Sequence, residues 1–183
     1  MPEVHQRSAS VLQAREWADR GRLFAVIDAT GVVAVPLKMR QLGVTRAVSL
    51  YQGRAEEELW AIAPYLCKVD PLTLDWITAD LWAAPWGVFA LTDVSLEELR
   101  KHFRRLVVVD APNGESWYFR FYDPRVLPKF LAVGTKSQIE ETFGPVRAFA
   151  VTDPETYGLQ VLAPGPAAPL GRTPTAAPLV VRR

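Results

Sequence analysis

The chain is poor in the residues on which small active sites depend. Among 183 residues there is one cysteine, and there are two histidines. Cys67 cannot close an internal disulfide, and between Leu66 and Lys68 in an apolar segment it reads as a small buried hydrophobe. His5 lies in an N-terminal segment read as frayed. His102 sits among basic residues in LRKHFRRL, which disfavours a protonated imidazole and offers no metal-ligand spacing. No motif sets a Ser or Cys nucleophile beside it, so a catalytic triad is not expected. Glu56, Glu57 and Glu58 are adjacent and point to different faces of a helix, so they cannot converge on one ion, and no metal is expected. The turn Asp28-Ala-Thr-Gly31 follows an apolar strand but lacks the glycine spacing of a dinucleotide site and the GK[ST] of a P-loop, so no nucleotide cofactor is expected.

Charge of one sign is also lacking. Twenty-one Lys and Arg against twenty Asp and Glu leave a net +1, which gives no footprint for nucleic acid or an anionic membrane. No window approaches the ~18 apolar residues of a membrane-spanning helix, and MPEVHQRSAS has no apolar core like that of a signal peptide. The expectation is a protein that remains in the cytoplasm.

What the chain has is apolar mass: 49% of its residues are hydrophobic and six are tryptophan, enough for a sizeable core. Helix formers over Leu12 to Arg20 end at Gly21, and LFAVI (Leu23 to Ile27) reads as a buried strand ending at Asp28. A helix within Val33 to Leu42, starting near Pro36 and closed by Gly43, precedes a strand over Ala47 to Tyr51. A short helix over Glu56 to Ile62, the apolar run Tyr65 to Val69 and an amphipathic helix over Leu72 to Trp82 follow. Trp86 to Leu91 is another buried strand, and Ser95 with Glu98 forms a capping box for a helix through Leu106. Asn113-Gly114 lies between two β-rich runs, Leu106 to Ala111 and Ser116 to Tyr122, and predicts an antiparallel hairpin. Helices over Pro124 to Leu131 and Ser137 to Phe143 precede strands over Val146 to Val151 and Tyr157 to Leu162. Strands alternating with helices, then a hairpin, predict an α/β or α+β domain with a mixed sheet, arranged as one unit or as two small lobes. The organisation expected is an N-terminal helical segment (1–21), a domain (22–163) and a disordered Pro/Ala-rich tail (164–183).

The most informative stretch is YFRFYDPRVL, Tyr118 to Leu127. It alternates aromatics with Arg120 up to Tyr122 and reads as a strand. Asp123 then serves as an N-cap and Pro124 as the first residue of a helix. Arg120 and Arg125 flank the Asp123 carboxylate. A structural ion-pair knot is favoured over a catalytic or anion-binding role, because ion-pair networks outnumber active sites built from the same residue types. Lys101, Arg104 and Arg105, towards the end of their helix, read as a solvated face that complements the macrodipole. Trp76, Trp82 and Trp86 cluster around one loop; core is the first reading, and an aromatic anchor for a protein partner is the sharper one.

LFAVIDA (Leu23 to Ala29), SLYQG (Ser49 to Gly53), APYL (Ala63 to Leu66), WGVFALTDVSLEELRKHFRRL (Trp86 to Leu106), YFRFYDPRVL and FGPV (Phe143 to Val146) occur in one order. The set resembles the adaptor chaperones of bacterial type VI secretion, a family encoded beside the VgrG spike protein and toxic effectors. The resemblance covers roughly residues 20 to 155. It implies a cytoplasmic protein that is not an enzyme, that binds a cognate effector protein and that helps load it onto the VgrG spike, without cofactor, metal, nucleic acid or membrane. The positions matching the family signature are His102, Arg105, Arg120, Asp123, Pro124 and Arg125, read as structural. The alternative is a small hydrolase or transferase using the Arg120, Asp123, Arg125 and His102 group as an acid-base and anion site. A third reading is nucleic-acid binding by the basic helix at residues 100 to 105, which would be steeply salt-dependent.

Overall fold

Apolar residues without a break along LFAVI require a strand covered on both faces, and the computed structural model supplies helices on both. The structure describes residues 2–110, 116–153, 155–164 and 180–181. In order these are α1 (Pro2–Asp19), β1 (Leu23–Asp28), α2 (Ala34–Leu42), β2 (Ala47–Ser49), α3 (Arg54–Glu58), a 3-10 turn (Trp60–Ile62), β3 (Pro64–Lys68) and α4 (Pro71–Trp76), which continues as a π turn (Ile77–Leu81). Then come β4 (Gly87–Leu91), α5 (Leu96–Val107), β5 (Val108–Asp110), β6 (Ser116–Tyr118), α6 (Leu127–Val133), α7 (Lys136–Phe143), β7 (Ala148–Thr152), β8 (Leu159–Leu162) and β9 (Val180–Val181).

Among the described residues the strands form a six-stranded sheet, β2-β3-β1-β4-β7-β8, and a three-stranded one, β6-β5-β9. The mixed α and β composition is as expected. The pairings are all antiparallel, where a mixed sheet was predicted. The order explains this: β1 lies between β3 and β4 and runs opposite to both. The hairpin partners β5 and β6 are antiparallel as predicted; its turn, Asn113-Gly114, lies outside the described residues. Most of the predicted tail does too, but Val180–Val181 pairs with β5.

Alternation along the strands separates two cores. Leu23, Ala25 and Ile27 of β1 face Ala14 and Ala18 of α1, Val35 and Met39 of α2 and Leu74 of α4. Phe24 and Val26 face the other way, onto Leu99, Phe103 and Leu106 of α5, Phe143 of α7 and the aromatic residues 119–122. Helix ends follow local chemistry. Asp70 caps α4 by accepting from Thr73 N–H at 2.8 Å, with Pro71 at the first helical position. Ser95 Oγ accepts from Glu98 N–H at 3.2 Å to start α5, and Thr135 with Gln138 forms a reciprocal capping box on α7.

For two of the tryptophans the core reading holds and the partner-anchor reading is corrected. Trp82 and Trp86 are only 2% and 3% exposed; both pack on Phe89, and Trp82 Nε1 donates to Tyr157 O at 2.9 Å. Burying these large rings under the sheet fills the first core, so neither offers a surface anchor. Trp76 is half-buried, beneath the Lys38 ammonium at 5.8 Å.

Candidate functional site

The signature segment is not one strand followed by a capped helix. β6 stops at Tyr118, and Phe121 and Tyr122 beyond it are both buried. The chain turns instead, with Asp123 N–H donating to Arg120 O at 3.0 Å and Val126 N–H to Asp123 O at 2.9 Å. The Asp123 carboxylate caps no helix. Its Oδ1 accepts from Arg125 N–H and Arg125 Nε, each at 2.9 Å, and its Oδ2 accepts from Arg125 Nη2 at 2.7 Å. The helix begins at Leu127, and Pro128 rather than Pro124 occupies its opening turn. Pro124 is buried in the turn itself.

Arg120 does not complete a triplet with Asp123 and Arg125. Its guanidinium binds the Asp28 carboxylate, at the end of β1, and lies over the Tyr122 ring at 5.9 Å. Asp28 follows Phe24 and Val26 in the strand alternation, which aims it at the face that residues 119–122 cover. Its Oδ1 also accepts from Thr30 N–H at 3.0 Å, so one carboxylate holds both its own turn and Arg120. Tyr51 and Tyr122 share a hydrogen bond beside it; burial, above all, raises the pKa of both phenols. Burial pulls the Asp123 carboxyl upward, but the Arg125 hydrogen bonds and the charges of Arg125 and Arg120 outweigh it and leave the pKa below its usual value.

His102 is elsewhere and buried. Its Nε2 lies 3.1 Å from Thr142 O; a carbonyl only accepts, so Nε2 carries the proton and donates. Gly144 packs against the imidazole so closely that a Cβ there would overlap the ring, and its φ is +48°. Burial is the main cause of a lowered His102 pKa, reinforced by Arg105 and opposed by the Thr142 bond. Arg105 itself is exposed. The signature therefore resolves into three separate fixtures: His102 on the end of α7, Arg120 on β1, and Asp123 with Arg125 inside one turn. The charge of Arg120 still reaches Asp123, while His102 shares no hydrogen bond with either among the described residues.

Sequence reasoning missed Arg104. It is a clamp, not a solvated face: its Nη2 donates to Ser49 O at 3.1 Å and Tyr51 O at 2.7 Å and reaches Glu56 Oε2 at 3.3 Å. Arg100, one turn earlier, lies 3.6 Å from Glu56, while Lys101 pairs with Glu97 at 2.9 Å. The signal was available, since Arg100 and Arg104 border the buried stripe Leu99, Phe103 and Leu106 and so face the sheet edge. Two basic residues of the run thus turn inward. Open apolar surface lies elsewhere. Phe119, Val126, Phe130 and Val133, with Lys129 and Arg125 at the side, line a groove of about 500 Å³. Nearby in sequence on β6, Trp117 and Tyr118 are 47% and 62% exposed.

This combination defines a helix-flanked antiparallel sheet whose charged signature residues pin an irregular aromatic segment. Residues 23–141 match the family described as Domain of unknown function (DUF4123), and the chain belongs to that family. No curated protein and no solved structure matches it.

Proposed function

We propose that the protein is an adaptor chaperone that binds a type VI secretion effector in the cytoplasm and promotes its loading onto the VgrG spike. The observation that carries this reading is the open apolar groove between residues 119–126 and α6, lined by Phe119, Val126, Phe130 and Val133. Val133 is 44% exposed there, and an apolar groove of this kind takes the apolar face of a partner helix. The ordered set of segments resembling the adaptor family supports it, and the match over residues 23–141 agrees in extent. The mechanism is binding: an aggregation-prone effector segment is shielded from water and presented to the spike.

The test is affinity capture with the tagged full chain from a lysate shown to contain both a VgrG-type spike and its toxin, compared with Val133→Asp. Recovery of both by the wild type, and loss with a variant whose circular dichroism is unchanged, supports the adaptor reading. Recovery of neither by the wild type overturns it.

A further inference from the structure

β2 is an outer strand of the six-stranded sheet, and its far edge faces a groove. Its ladder to β3 is fixed by Lys68 N–H donating to Arg46 O at 2.8 Å and Leu50 N–H donating to Pro64 O at 2.9 Å, with Val48 opposite Leu66 between them. Residues between such hydrogen-bonded positions turn their N–H and C=O outward. Here they are Ala47, Ser49 and, just past the strand, Tyr51.

Most of these outward groups are satisfied from within. Ala47 N–H donates to Gly43 O at 2.9 Å and Tyr51 N–H to Ser49 Oγ at 3.1 Å, and Arg104 covers the carbonyls of Ser49 and Tyr51. Such covering is how edge strands avoid uncontrolled pairing. The C=O of Ala47 and the N–H of Ser49 are left, and among the described residues neither has a partner. They are spaced as one residue of a parallel strand requires, its N–H meeting Ala47 O and its C=O meeting Ser49 N–H.

The groove beside them, about 400 Å³, is lined by Met39, Arg40, Trp60, Tyr65, Glu56 and Arg100. Its charge is unbalanced. Glu56 is shared between Arg104 at 3.3 Å and Arg100 at 3.6 Å, the latter too far for a hydrogen bond. Arg40 adds a third positive charge, its guanidinium stacked 3.9 Å above the Trp60 ring. Burial, then the charge of Arg100, lowers the pKa of Arg104, as expected where carboxylates are too few.

We propose that this groove receives an extended, acidic segment of a partner polypeptide as an added strand, its backbone on Ala47 and Ser49 and a carboxylate between Arg40 and Arg100. Backbone pairing supplies general affinity, and the arginines select for acidic side chains through charge-assisted bonds. The site is separate from the groove lined by Phe119 and Val133 and does not depend on the adaptor reading.

The test is selection of a displayed random decapeptide library on the full chain, followed by calorimetry with the winning synthetic peptide. The expected peptides alternate β-branched residues with Asp or Glu and bind more weakly at high salt. N-methylation of the residue that pairs with Ala47 and Ser49 removes one backbone bond and lowers affinity about tenfold. Arg100→Gln weakens binding similarly. Ser49→Pro removes the outward donor without touching the β3 ladder, and the N-methylated peptide keeps the test valid should that variant fold poorly. Winners without acidic bias, indifference to N-methylation, no enrichment over a bare support, or binding lost through Val133→Asp but not Arg100→Gln would each overturn the proposal.

Discussion

The two faces of the six-stranded sheet are closed by different means. On the first, α1, α2 and α4 lie over small and aliphatic strand residues such as Ala25, Ile27 and Cys67, with Trp82 and Trp86 packed on Phe89. Helices satisfy their own backbone, so packing is most of what they require. On the second face α5 and α7 are accompanied by residues 119–126, an irregular stretch that buries Phe121 against Phe103 and Phe149, with Phe119 and Tyr122 packed on Phe121. Backbone buried outside regular structure needs specific partners. Asp123 with Arg125, Arg120 with Asp28, and His102 with Thr142 supply side-chain pins around it. The charged signature of the chain is thus the means by which an aromatic loop completes a core.

The comparison breaks first, if it is wrong, at Phe103, which is fully buried and touches the rings of His102, Phe121 and Phe149. Phe103→Ala should cost about 3 to 5 kcal/mol in urea unfolding, with residues 119–126 losing amide protection before β1 and β3 do. Simultaneous loss on both faces would show that the second has no separate weakness.

Gly144→Ala comes next, at about 2 kcal/mol, because it combines a left-handed backbone with overlap of the His102 ring. Combining it with His102→Ala should recover part of that loss. A double-mutant cycle with no coupling would refute the contact.

Removing the pin inside the turn should cost less. Asp123→Ala is expected to lower stability by about 1 to 2 kcal/mol, since Arg125 remains exposed to water. The wild-type contribution is present above the unfolded carboxyl pKa of about 3.9 and is lost as pH falls through the lower folded value. The acid limb of a pH–stability curve should therefore flatten in the variant. His102 acts in the same direction nearer neutrality: its folded pKa lies below 6.5, so stability is held above that pH and declines as the pH drops below it. A histidine-specific NMR titration gives the two pKa values whose difference sets this slope.

The smallest effect should be at Arg105, an exposed member of the signature. Arg105→Ala should change stability by no more than about 0.5 kcal/mol. If it nonetheless abolishes capture of effector or spike, this residue of the second face serves a partner and not the fold.

Periodicity and end signals made the elements legible. LFAVI, WGVFAL, the Ser95 start of α5 and the Gly43 and Gly144 stops depend on neighbours within a few residues, and a sequence carries such information directly. Burial of Cys67 was legible for the same reason. The pairing of Asp123 with Arg125, two residues away, was legible as well, but the long-range partners of the arginines were not. Arg120 reaches Asp28 across 92 residues and Arg104 reaches Tyr51 across 53; no spacing rule predicts bonds formed only when distant strands and helices are assembled. The sequence by itself determined the two-faced strands, the helix ends and the absence of a nucleotide-loop motif. Tertiary structure alone decided that the described strands pair antiparallel throughout and that β2 retains two outward backbone groups. Strand order and edge exposure follow from which surfaces bury one another, a property of the assembled chain and of no segment within it.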